Sequence, residues 1–139
     1  MTGVSHATLG AAIGKFIPNP FVAFFAGLLS HILVDKVPHF WPKTEKNKNL
    51  LIVIDAVVTL SFVLLLFLLP IHNKTSIIAG AFGGVLIDIV FVVLAPMYKP
   101  LLDSKLRVWH GDRQTHFTNP WYFSVDVAMI MLSLSVLFL

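Results

Sequence analysis

Residues 50–69 read LLIVIDAVVTLSFVLLLFLL, an apolar run broken only by Asp55, Thr59 and Ser61. At about 1.5 Å per residue, a helix of this length crosses a hydrocarbon core of roughly 30 Å. The same kind of pattern predicts four further helices. Residues 4–17 are apolar but too few to span comfortably, which predicts a half-length or re-entrant first helix. Residues 20–37 follow, with Asn19 as cap, Pro20 in the first turn and Pro38 as the stop. Residues 76–94 make the fourth helix, closed by Pro96, and residues 120–139 the fifth, which repeats the opening with Asn119 and Pro120. The expected fold is an all-α integral membrane protein: one domain over residues 1–139, a compact bundle of about five helical segments.

Composition agrees. The chain is 57% hydrophobic and 12% charged, far from the balance of a soluble domain. It has no cysteine, which excludes thiolate chemistry. No basic stretch precedes the first apolar segment, so a cleaved signal peptide is not expected. The net charge of +3 is modest, and no nucleic-acid partner is expected. Its distribution says more. Lys36, Lys43, Lys46, Lys48, Lys99, Lys105, Arg107 and Arg113 fall in the loops after the second helix and before the fifth, whereas Lys15 and Lys74 lie elsewhere. The hairpin of helices three and four returns the chain to its starting side, so the two basic loops share a face. The positive-inside rule makes that face cytoplasmic.

Ionisable groups gather at the same level. His31 and Asp35 are four apart on one helix face, His39 follows the helix stop, and His6 opens the first helix. Asp55, Asp88 and Asp126 each sit one to two turns inside a helix, while His110, Asp112 and His116 occupy the second basic loop. Only His72 belongs to the opposite side. Gly10 and Gly14 continue the His6 face, Gly27 the His31 face, and Gly80 and Gly84 the Asp88 face, so the polar stripes are also close-packing stripes. Their side chains are expected to face other helices. Buried carboxylates repel one another unless protonated or neutralised by cations. Histidine with aspartate suits zinc or another borderline divalent ion, and a His-x-x-x-Asp pair offers two ligands from one helix face.

SHATLGAAIG, then GLLSHILVDKVPHF, the single intramembrane aspartates and a late WHGDRQTHF resemble the YdjM-like family of inner-membrane metal-dependent hydrolases. That family is thought to be related to the zinc-dependent phospholipase C and P1 nuclease superfamily. The resemblance implies that His31 and Asp35 are the helix pair of a site for two or three divalent ions, zinc with manganese or iron as alternatives. His6, His39, Asp55, Asp88, His110 and His116 would be further ligands. The chain departs from the family in having DKVPH where many members carry Asp-x-Asp-His.

The expected reaction is hydrolysis of a phosphoester by a metal-activated water, with a lipid phosphate at the membrane interface as substrate. Asp55 or Asp112, if uncoordinated, would take the water's proton. Lys36, Arg107 and Arg113 would hold phosphate charge. Asp126 is expected to orient ligands rather than bind metal. The same residues allow three rival readings: a metal-ion or proton transporter, a di-iron lipid oxidase and a non-catalytic adaptor. A transporter predicts polar groups continuing to the far side, where helices three and four offer little beyond Thr59, Ser61, Thr75 and Ser76.

Overall fold

The structure is a computed structural model that describes residues 1–94, 97–112 and 114–139; Pro96 and Arg113, which carried two of the expectations, lie outside the described residues. It is mostly helical. In chain order come α1 (Gly3–Lys15), α2 (Pro20–Val34), β1 (His39–Phe40), α3 (Glu45–Leu68), α4 (Lys74–Asp88), α5 (Lys99–Leu102), α6 (Lys105–Gly111), β2 (His116–Phe117) and α7 (Phe123–Phe138). Three helical stretches, Glu45–Leu68, Lys74–Val92 and Pro120–Phe138, are long and apolar enough to cross a membrane. The surface of α3 and α7 is correspondingly greasy, with Leu60, Leu68, Met131 and Leu132 all exposed.

The Asn-Pro openings behave as expected. Asn19 Oδ1 accepts from the amides of Phe21 and Val22, and Asn119 Oδ1 from that of Trp121. After Asn119 the chain makes a 3-10 turn, Pro120–Tyr122, before α7 proper. Other boundaries differ. α2 stops at Val34, because Pro38 disfavours helix at the residue before it and the carbonyl of Asp35 turns away to accept from Thr115 N. α3 begins five residues before the apolar run, because Thr44 Oγ1 caps Asn47 N and Glu45 suits the first turn. The second basic loop holds two short helices, of which α6 is capped by Ser104 Oγ accepting from Arg107 N. α4 widens after Asp88 into a π-helical stretch, Ile89–Leu94.

α1, α2 and α4 form the inner core, and glycine is the reason. A Cβ on Gly10 would fall on the carbonyl of Gly80, one on Gly27 on that same carbonyl, and one on Gly84 on the carbonyl of His6. Both α1 and α2 therefore lie with their backbones against α4, the packing that small-residue stripes permit. At its far end α1 is tied down by Asn73, whose amide donates to the carbonyls of Gly14, Lys15 and Ile17. The two basic residues outside the polar loops are used there as well. Lys15 Nζ donates to Val136 O near the end of α7, and Lys74 Nζ to Phe67 O near the end of α3.

At the opposite end the two basic loops meet. β1 and β2 pair in parallel, His39 with His116 and Phe40 with Phe117. Two residues per strand are little structure. They nonetheless place both loops on one end of the bundle, directly above the polar residues.

Candidate metal centre

Asp35 is the hub. As the C-cap of α2 it is 1% exposed, and its two oxygens face different neighbours. Oδ1 accepts from the Met1 amino group at 2.9 Å and lies 3.0 Å from His6 Nε2. Oδ2 accepts from the Gln114 amide at 3.2 Å, and lies 3.2 Å from His31 Nε2 and 3.6 Å from His110 Nε2. On the other side of His31, its Nε2 is 3.9 Å from Asp88 Oδ1. Five donors thus converge from α1, α2, α4 and α6.

The tautomer of His31 is fixed by its neighbour. Its Nδ1 lies 2.6 Å from the carbonyl of Gly84, and a carbonyl only accepts, so Nδ1 carries a proton. That leaves Nε2 as the atom presented to the carboxylates, the arrangement in which backbone-anchored histidines bind metals. Gly84 serves twice here, since its missing Cβ admits α1 and its carbonyl orients the imidazole. The rings of His6 and His31 stack at 3.8 Å, and His110 tilts against His31 at 5.4 Å.

Two groups of three have ligand atoms within 4.8 Å of one another: His6, His31 and Asp88; and His31, Asp35 and His110. Ligands of one zinc ion, each about 2.1 Å from it, cannot lie more than about 4.2 Å apart. The His31–Asp35, His110–Asp35 and His31–Asp88 separations, 3.2 to 3.9 Å, meet that limit. Hydrogen bonding inside the cluster is incomplete. Among the described residues, His6 Nδ1, His31 Nε2 and Asp88 Oδ2 are buried without a hydrogen-bond partner. A self-sufficient polar network would satisfy such atoms. A cation between them would satisfy the last two together.

The other expected residues have different places. Asp55 is spent on α1: its oxygens accept from Gly3 N at 2.6 Å and Val4 N at 3.0 Å, and from Thr59 Oγ1 at 3.4 Å. Asp126 holds the same helix end through Thr2 N, Thr2 Oγ1 and Ser5 Oγ at 2.8 to 3.0 Å. Two carboxylates at the positive end of a helix dipole are well placed, and they set the position of His6 one turn further on. Neither belongs to the two ligand groups.

His39 and His116 pack on each other at 4.8 Å, outside both groups. His39 Nδ1 donates to Val37 O, and its Nε2 faces the Met1 amine at 2.8 Å. His116 also stacks on Trp41. Burial, aided by neighbouring positive charge, holds His39 below the ordinary histidine value and pushes His116 down to about 4. Burial likewise lowers His110, against the pull of Asp35. The loop histidines are therefore neutral at pH 7, the form that binds metal. Lys36, Arg107 and Asp112 are exposed at this end. Arg107 and Asp112 line the cavity that reaches Asp88 and His110.

Gln114, the carbonyl of Gly84 and the threonine and serine at the start of α1 were not legible as site residues. A lone glutamine in a loop and a backbone carbonyl carry no sequence signal. No family model, curated protein or solved structure matches this chain.

Proposed function

We propose that the chain is an integral membrane protein of the inner membrane with a metal-dependent hydrolase site near its cytoplasmic face, acting on a phosphoester of the lipid-phosphate class. The observation that carries this reading is the anchored His31, whose Nε2 makes no hydrogen bond yet lies 3.2 Å from Asp35 and 3.9 Å from Asp88, with His6 and His110 beside it. A divalent ion held there would polarise a phosphoryl oxygen and activate a water. Because Nδ1 of His31 is committed to Gly84, its remaining nitrogen serves one ion. The resemblance implies two or three ions; the two ligand groups share His31, and their residues would hold one ion there. Zinc suits the donor set, and manganese or iron are alternatives.

The protein's own groups divide the remaining work. Asp112, exposed, on the cavity wall and outside the ligand groups, would accept a proton from water. Arg107 on the same wall is suited to hold phosphate charge, and Lys36 lies next to the hub residue in the chain. Asp55 is a poor base, since backbone amides already occupy both of its oxygens. A transporter fits less well, because below Thr59 the α3 wall of the cavity turns to Leu60, Val63, Leu64 and Phe67, which offer an ion no ligands.

The test is phosphate release from phosphatidic acid in mixed micelles supplied with zinc, manganese or iron. Turnover by the wild-type chain, abolished in Asp35→Asn with helicity unchanged, is the expected result. Equal release by the two proteins, or none by either with each metal, would remove the hydrolase reading.

A further inference from the structure

A cavity of about 710 Å³ lies between α3 and α4, within the size range of small-molecule sites. Its upper end is polar, walled by Asp88, His110, Arg107 and Asp112, and its length is apolar, walled by Leu60, Val63, Leu64 and Phe67 of α3 and Phe82 and Val85 of α4. Asp88 and His110 belong to the candidate metal ligands, so cavity and metal centre are continuous. The wall follows one stripe of α3 from Leu51 to Phe67. At 1.5 Å per residue its part below the level of Asp55 is about 18 Å long, close to the roughly 15 Å of one leaflet's hydrocarbon.

The cavity exists because α3 is held differently from the other inner helices. Near the site it is pinned to α1 by Asp55 on the amides of Gly3 and Val4. Along its length it lacks the glycines that draw α1 and α2 onto α4, and Leu60, Leu64 and Phe67 stay exposed. Both walls are stretches long and apolar enough to span a bilayer. An opening at that depth cannot hold polypeptide with unpaired backbone, and its apolar lining offers water little to bond.

We propose that the α3/α4 groove holds the hydrocarbon chain of a membrane lipid whose phosphate-bearing head lies at the His31 cluster. The chain enters sideways from the bilayer between α3 and α4, with its head rising to the level of Asp88 and His110. The placement of the head rests on the function proposed above; the binding of the chain does not.

The test embeds the full chain in phosphatidylcholine nanodiscs containing phosphatidic acid with a diazirine midway along one acyl chain. After irradiation, labelled residues are mapped by peptide mass spectrometry, with phosphate release measured in parallel. Labelling of Leu60, Val63, Leu64 and Phe67 is expected to exceed that of Val53 and Val57, on the outer face of α3, by about tenfold. Ala56 lines the groove beside Asp55; Ala56→Trp, which fills that part, is expected to abolish groove labelling while metal content stays unchanged, and Val57→Trp to alter neither. Even labelling of groove and outer face would overturn the proposal, and the wild-type pattern decides this if Ala56→Trp fails to fold. Groove labelling without phosphate release upholds the chain slot and removes the hydrolase reading. Phosphate release with even labelling does the reverse.

Discussion

α2 and α3 are both apolar helices beside α1, yet they meet the core in opposite ways. α2 lies with its backbone against α4 through Gly27 and Gly83 and carries His31 and Asp35 into the centre. α3 has no glycine, stands off from α4 and leaves a groove. The contrast divides the labour of the molecule. Donors whose positions must be held to within about 0.5 Å are on the tightly packed side, and the space for a ligand is on the loose side. Rigid support for a metal site and room for a guest are competing demands on packing, and the distribution of glycine between two helices meets both.

The largest effect is expected where that contrast is broken outright. Gly84→Val would drive a side chain into the carbonyl of His6, and overpacking against backbone costs about 3 kcal/mol or more. Thermal unfolding in detergent is expected to shift sharply downward, with metal binding lost along with the fold. A smaller effect separates packing from ligation. Asp126→Ala removes the acceptor for Thr2 N and Ser5 Oγ and is expected to cost about 1–2 kcal/mol, in the manner of a lost helix cap. Metal would still bind, because His31, Asp35, Asp88 and His110 are untouched. The smallest effect on stability belongs to the loose side. Leu64→Ala, at a residue 54% exposed, is expected to stay within about 0.5 kcal/mol of the wild type. Turnover of long-chain substrates should nonetheless fall relative to short-chain ones, and a chain-length series would read this directly.

Much of this division is legible in the sequence because it is periodic or local. Apolar runs locate the long helices, Asn19 and Asn119 mark two starts, and the four-residue spacing joins Gly27 to His31 and His31 to Asp35. What escapes is tertiary. Asp55 and Asp126 read as isolated intramembrane acids, whereas both cap α1, a helix distant in sequence. Carboxylates capping another helix leave no spacing rule to read. The π-helical turn after Asp88 and the short bridge between β1 and β2 depend on neighbours brought together by folding, and the residues involved have no distinctive composition. Gln114 joins Asp35 to His110 only because the second basic loop folds back over α2. The cluster of histidines and aspartates at one end is thus predictable as a set, while the split between ligands and helix caps is not.

Whether His31 and its neighbours hold a divalent ion is read by elemental mass spectrometry of detergent-purified protein prepared without chelator, beside a His31→Ala/Asp35→Ala double variant whose helicity is checked by circular dichroism. About one divalent ion per chain, absent from a variant that keeps its helices, is the predicted result. A wild-type chain without tightly bound metal, or a variant that retains it, would contradict the account.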